Sequence, residues 1–245
     1  MDWHCQPRFF MTDTSTNALF IITSATNAPY PARQPGQTDN TQFEALLATV
    51  NSISTHAPEA RIAVVEYSAY PLTAAQHDTL IQHVDYLMDY SRNEQIQGFD
   101  RNLPDHQTIA AISELTGLLW FLQVGLHHDL YASFRRVFKM SPGTQLTASP
   151  ASTTHFSDNV QGRYVFPNAA LAADATGALA LRFANDYWSM DASQVSSFIA
   201  SLQEILAQMR MMADQGQPVC AEAMLYRHLD AGKIYYDLKP AITQD

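Results

Sequence analysis

Cysteine is scarce in this chain of 245 residues: only Cys5 and Cys220 are present, far apart in sequence. Neither lies in a Cys-x-x-Cys or Cys/His-rich spacing, which excludes a zinc knuckle or a redox dithiol. Two reduced thiols are what a cytoplasmic protein carries. Basic residues are few as well. Fourteen Lys and Arg stand against 24 Asp and Glu, a formal net charge of −10. Nucleic acid is therefore not an expected partner, because its affinity rests on Lys and Arg neutralising phosphates. The nine glycines form neither G-x-x-x-x-G-K-[ST] nor G-x-G-x-x-G after the first apolar run, which removes P-loop nucleotide hydrolases and typical dinucleotide-binding dehydrogenases. A G-x-S-x-G elbow and an H-E-x-x-H pair are also missing. No apolar run approaches the roughly 20 residues of a membrane span. The start, Met1-Asp-Trp-His-Cys-Gln-Pro, lacks the basic and then apolar segments of a secretory signal.

What the chain does have is four strand-length apolar runs that each break into small, polar or charged residues. They are Leu19–Ile22 into Thr23–Asn27, Ile62–Val65 into Glu66–Ser68, Val84–Met88 into Asp89–Ser91, and Val137-Phe138 into Lys139–Ser141. Such runs, alternating with amphipathic helical stretches, predict an α/β fold: one Rossmann-like domain with a mostly parallel central sheet flanked by helices. Helices are predicted at about 41–56, with Thr41 and Glu44 spaced as a capping box, from Thr73 as N-cap to about 84, at about 105–124, at 193–212 and at 221–229. Strands are predicted at 18–23, 61–66, 85–89 and 134–139. Residues 27–40 and 91–104 read as loops. The later half adds strands at 163–166 and 179–183, read as a β-hairpin or a mixed-sheet addition, and an extended segment at 233–238. Residues 1–17 read as an irregular arm and 18–240 as a single domain.

Ligands of open parallel sheets bind at the carboxyl ends of the strands. Here that edge offers Thr23, Ser24, Thr26 and Asn27, the carboxylates Glu66 and Asp89, and Lys139 with Ser141 and Gly143. Polar strand ends also occur in any α/β protein, so each residue alone carries little. Together the four clusters suit a nucleoside diphosphate conjugate. Hydroxyls and backbone groups meet base and ribose, a carboxylate accepts from ribose hydroxyls, and Lys139 neutralises diphosphate.

Three stretches, Phe20-Ile-Ile-Thr-Ser-Ala-Thr-Asn27, Arg61-Ile-Ala-Val-Val-Glu-Tyr-Ser68 and Arg136-Val-Phe-Lys-Met-Ser-Pro-Gly143, resemble blocks of small glycosyltransferases with a GT-A-like fold. Proteins of that kind occur in bacterial polysaccharide clusters, phages and large viruses. The resemblance continues through Leu181-Arg-Phe, Tyr187–Asp191 and Ala221–Tyr226, covering roughly residues 18–230. It implies transfer of a sugar from a nucleotide-sugar donor to a glycan or other hydroxyl acceptor. Residues 18–143 would form the nucleotide-binding half and 144–240 the acceptor-side half. Thr23, Ser24, Ala25, Asn27, Glu66, Ser68 and Asp89 would hold the nucleotide, and Lys139, Ser141, Gly143 and Arg136 the diphosphate and sugar.

GT-A enzymes usually hold Mn²⁺ or Mg²⁺ with Asp-x-Asp, and no two aspartates here lie two positions apart. Either Lys139, Arg135 or Arg136 supplies the positive charge, or a lone carboxylate such as Asp89 binds an ion that keeps water and phosphate ligands. Metal independence is the expectation, with no metal-ligating residue assigned. For the catalytic base the first choice is Glu222, in the first turn of a short helix, and the second is Glu114, beside an apolar helical stripe. Tyr187 and Trp188 could stack on a sugar or belong to the core. The alternative to an enzyme is a non-catalytic nucleotide-sugar binding protein.

Overall fold

The computed structural model describes residues 4–5, 17–27, 40–102, 106–173, 179–217, 219–237 and 242–244. In chain order the elements are β1 (His4–Cys5), β2 (Ala18–Ser24), α1 (Asn40–His56), β3 (Arg61–Glu66), α2 (Ala74–His83), β4 (Tyr86–Asp89), α3 (Glu94–Asn102), α4 (His106–His127), β5 (Arg136–Met140) and β6 (Thr144–Leu146). They continue with β7 (Tyr164–Phe166), β8 (Ala169–Ala173), β9 (Leu179–Phe183), β10 (Tyr187–Asp191), α5 (Val195–Asp214), α6 (Ala221–His228), β11 (Ile234–Tyr236) and β12 (Ile242–Gln244). The loop expected at 27–40 lies mostly outside the described residues.

Eight strands form one sheet in the order β1-β4-β3-β2-β5-β10-β7-β11. The run β4-β3-β2-β5 is parallel throughout. All seven residues of β2 are buried, as a strand covered on both faces must be, and Ala18–Ile22 therefore reads as an unbroken apolar run before Thr23 and Ser24. Alternate side chains divide the core. Leu19, Ile21, Val65 and Val137 face Ile112, Leu115 and Leu122 of α4 and Phe198 and Leu202 of α5. Phe20, Ile22, Val64 and Phe138 face Leu46, Val50 and Ile53 of α1 and Leu80 of α2. Phe20 and Phe138, partners in the β2–β5 register, stack with centroids 4.5 Å apart. Each such apolar side chain contributes about 1.5–3 kcal/mol on burial.

Helix α4 is long and apolar enough to cross a membrane, but 56% of its most apolar window is buried inside the molecule. It comes close to the sheet because Gly117 has no side chain. A Cβ there would lie 3.3 Å from both Tyr67 Cβ and Val65 Cγ1. Gly117→Leu is therefore expected to lose about 1–3 kcal/mol by overpacking, read as a lower urea midpoint.

The predicted helices and parallel strands are present, with the Thr73 capping box on α2 completed by Gln76. Four expectations change. Helix α1 begins at Asn40, so Thr41 lies inside its first turn. Helix α3 occupies part of the expected 91–104 loop. Its polar sequence gives little helical signal, yet Asn93 Oδ1 accepts from Gln95 N–H at its start, and Ile96 and Phe99 pack on the core. Tyr187–Asp191, read only as an aromatic cluster, is a strand between β5 and β7. The strands at 164–166 and 179–183 do not pair with each other. β9 pairs with the Ala-rich β8, whereas β7 joins the main sheet and is extended in parallel by β11. An alanine run has low strand propensity, and pairing geometry decides its conformation here.

Candidate functional site at the reversal of strand order

The strand order reverses between β2 and β5: the chain builds β2, β3 and β4 outward on one side, then returns to the other side of β2 with β5. In open α/β sheets such a reversal opens a crevice beyond the carboxyl ends of the strands. Two buried polar constellations stand there, on opposite faces of the sheet.

The first lies on the α4 face. Glu114 Oε1 accepts from Thr23 Oγ1–H at 2.8 Å and from the Lys139 ammonium at 2.7 Å. Lys139 donates further to Ser141 Oγ at 2.8 Å and to the Asn185 carbonyl at 2.7 Å. The lysine side chain is 2% exposed and that of Glu114 16%. All three ammonium protons thus have acceptors, as burial of a charge requires. Ser141 accepts from Lys139 and so keeps its own proton free to donate outward. Among the described residues no hydrogen bond is made to Glu114 Oε2.

The second constellation, on the α1/α2 face, is built on Glu66, which is fully buried. Its Oε1 accepts from the backbone N–H of Thr26 at 3.0 Å and of Ser68 at 3.1 Å. The Ser68 hydroxyl lies 2.5 Å from the same oxygen and 2.9 Å from the Tyr70 carbonyl. Ser24 Oγ and Thr26 Oγ1 are 2.9 Å apart beside it. The carboxyl therefore clamps the loop after β2 to the loop after β3. Desolvation by burial pushes its pKa from 4.5 up to about 7, against the opposing pull of the bonds from Ser68 and Thr26. The Ser68 hydroxyl, a donor, has two acceptors within reach, Glu66 Oε1 and the Tyr70 carbonyl.

A carboxyl whose pKa is raised in the folded state stabilises fully below its unfolded value and loses that contribution as pH rises through the folded value. The span from 4.5 to about 7 is worth about 3 kcal/mol. Unfolding free energy is thus expected to fall between pH 4.5 and pH 7 from this group. Glu66→Gln is expected to remove that slope in urea titrations at pH 5 and pH 8.

The remaining sequence-predicted residues are placed as follows. Ala25 directly follows β2 and is half-buried. Asn27 donates to the Pro71 carbonyl at 2.8 Å and to Gln76 Oε1 at 3.1 Å, tying the β2 loop to α2. Asp89 is exposed at the end of β4 and accepts from Ser91 N–H. Gly143, at φ 88°, donates its N–H to Thr49 Oγ1 of α1 at 3.0 Å. Arg136 does not join Lys139. It starts β5 opposite Ala18, at the other end of the strand and on the other face, and its guanidinium donates to Ser189 Oγ and the Val160 and Arg163 carbonyls. Glu222 lies in the first turn of α6 and accepts from the Cys220 thiol at 3.1 Å; among the described residues no hydrogen bond or ion pair joins it to Lys139 or Glu114. Trp188 and Tyr187 are core residues, each 1% exposed. Sequence reasoning missed Asn185, whose carbonyl meets Lys139 and whose side chain accepts from Trp188 Nε1. Its only signal was polarity just before an aromatic strand. Tyr70, half-exposed beside the Glu66 clamp, was missed as well.

No protein-family model matches the sequence, and no curated protein does. The fold is similar to that of the galactosyltransferase LgtC, solved in complex with donor and acceptor sugar analogs. The TM-score is 0.53 at 11% identity, covering 89% of this chain and 72% of that one. It is similar also to core-mannan synthase A (CmsA/Ktr4) from Aspergillus fumigatus in its Mn/GDP form, with TM-score 0.52 at 11% identity over 96% of this chain and 80% of that one. The class of fold is therefore the GT-A-like mixed α/β sheet flanked by helices.

A Mn ion accompanies GDP in the core-mannan synthase structure. Among the described residues no group of three or more His, Cys, Asp and Glu side chains could hold a metal. At the end of β5 a cation is already present, the Lys139 ammonium 2.7 Å from Glu114.

Proposed function

We propose that this protein is a glycosyltransferase that moves a sugar from a nucleotide-sugar donor to a hydroxyl of a glycan acceptor, without a divalent metal. The observation that carries this reading is the buried Thr23–Glu114–Lys139–Ser141 constellation at the strand-order reversal of a GT-A-like sheet. The two proteins of similar fold handle sugar donors and GDP by their names, which supports the donor class.

In this reading the Glu66-clamped loops, with Asn27, Ser68 and Asp89, form the nucleoside side of the crevice, and Tyr70 offers an aromatic face to the base. Ser141, polarised by Lys139, donates to a diphosphate oxygen. Glu114, with Oε1 fixed by Thr23 and Lys139, turns Oε2 toward the acceptor and takes the proton of its hydroxyl. The acceptor oxygen then bonds to the anomeric carbon as the bond to the diphosphate breaks, and the diphosphate departs with the electron pair. Direct displacement of this kind inverts the anomeric centre. We assign the reaction to the cytoplasm, in keeping with the two cysteines outside any disulfide-framework spacing, and to polysaccharide assembly, in keeping with the sequence resemblance.

The test is release of nucleoside diphosphate from UDP-, GDP- and dTDP-sugars, and of CMP from a CMP-sugar, in EDTA with a mixed oligosaccharide acceptor. Turnover of one donor is expected. No release from any donor, with or without Mn²⁺, would contradict an enzyme. A second reading, a non-catalytic nucleotide-sugar binding protein, is favoured by one observation: every proton of Lys139 already has an acceptor within the protein. Donor binding without any release would select it.

A further inference from the structure

We propose that Tyr226 and Tyr236 form the platform on which the acceptor's pyranose ring stacks, with Glu222 taking hydrogen bonds from its hydroxyls; this rests on the glycosyltransferase reading above. Strand direction brings the platform to the working edge. β10 is antiparallel to β5 and to β7, and β11 is parallel to β7. The carboxyl ends of β7 and β11, Phe166 and Tyr236, therefore lie along the same edge as Lys139.

A continuous series of rings joins them. Trp188 donates its indole N–H to Asn185 Oδ1 at 3.0 Å, and Asn185 accepts from Lys139 through its carbonyl. Phe166 lies 5.5 Å from Trp188, and Phe183 stacks on Phe166 at 3.8 Å and 11°. Tyr226 and Tyr236 close the series, 5.1 and 6.4 Å from Phe183. Its inner members are buried, but Tyr236 is 40% exposed and Leu181, two residues before Phe183 on the same side of β9, is 41% exposed. The series thus changes from Trp and Phe inside to Tyr at the water boundary, the arrangement of aromatic side chains that present one apolar face and one wet end. Pockets for small ligands combine such apolar walls with a few placed polar groups. Glu222 lies one helical turn before Tyr226, on the same face of α6. A pyranose has the matching chemistry: a face of C–H bonds for the ring and equatorial hydroxyls for the carboxylate.

The test is saturation-transfer NMR with the methyl glycosides of glucose, galactose, mannose and N-acetylglucosamine, together with thermal shifts by nucleotide sugars. Wild type is expected to transfer saturation to the ring protons of at least one glycoside. Tyr236→Ala should cut that transfer at least fivefold, and Tyr236→Phe should keep it, with the donor shift unchanged in both. Should Tyr236→Ala fail to fold, Tyr236→Leu keeps apolar volume, removes the aromatic face and gives the same reading. Equal saturation in wild type and the non-aromatic variant overturns the platform. So does the absence of saturation by any glycoside in wild type, whether or not a donor shift is seen. Tyrosine-dependent glycoside binding with no shift by any nucleotide sugar upholds the platform and overturns the donor reading instead.

Discussion

Lys139→Met is expected to destabilise the protein by about 3–5 kcal/mol, the usual cost of removing one partner of a buried ion pair. The ammonium is 2% exposed and serves three acceptors: Glu114, Ser141 and the Asn185 carbonyl. Methionine fills most of the volume but leaves the Glu114 carboxylate without its cation. The cost should therefore arise from the stranded charge rather than from a cavity. Combining Lys139→Met with Glu114→Leu removes that charge and should recover most of the loss, since a buried pair replaced by apolar side chains is often neutral or better. Urea unfolding of the two single variants and the double variant measures the coupling. A loss below about 1 kcal/mol for Lys139→Met is the value of an exposed pair and would show that water reaches the ammonium.

Glu114→Gln is expected to lower turnover by about 10²–10⁴-fold, the range for loss of a positioned general base, while donor affinity changes little. Glutamine keeps the shape and an oxygen for Thr23 and Lys139 but removes the counter-charge of the buried ammonium, so the variant is expected to lose stability as well as proton acceptance, and turnover is compared on folded protein. Turnover number and donor dissociation constant, measured separately, make the distinction. Glu222→Gln is expected to raise the acceptor KM and leave turnover at saturating acceptor nearly unchanged. The reverse pattern, with turnover lost in Glu222→Gln and kept in Glu114→Gln, would move the base to α6.

The parallel half of the fold was legible because strands buried on both faces must be apolar without interruption, as Ala18–Ile22 of β2 and Ile62–Val65 of β3 are. The working edge followed, since each of these runs ends in polar residues at its carboxyl end. Pairing was not legible. Thr23 and Glu114 meet across 91 positions, and only the packing of α4 through Gly117 brings them together. Arg136 and Lys139 read as one basic cluster in sequence. In a strand, three positions mean about 10 Å and opposite faces, and the two cations serve different ends of β5. Glu222 carried a sound local argument, a carboxylate at a helix start, but position in the fold, which first-turn chemistry does not encode, sets it apart from the Lys139 constellation. β10 was hidden because its residues, Tyr-Trp-Ser-Met-Asp, lack both the unbroken apolar run and the clean alternation that mark strands.

The central claim is that the crevice between β2 and β5 binds a nucleotide sugar through protein groups alone. Thermal unfolding with a panel of UDP-, GDP-, CMP- and dTDP-sugars, each in EDTA and again in Mn²⁺, tests it most directly. One donor at 100 times its dissociation constant should stabilise the protein by about 2.7 kcal/mol, equally in both buffers, and the effect should fall sharply in Ser141→Ala. Stabilisation by no donor, or only in the presence of Mn²⁺, would contradict the account.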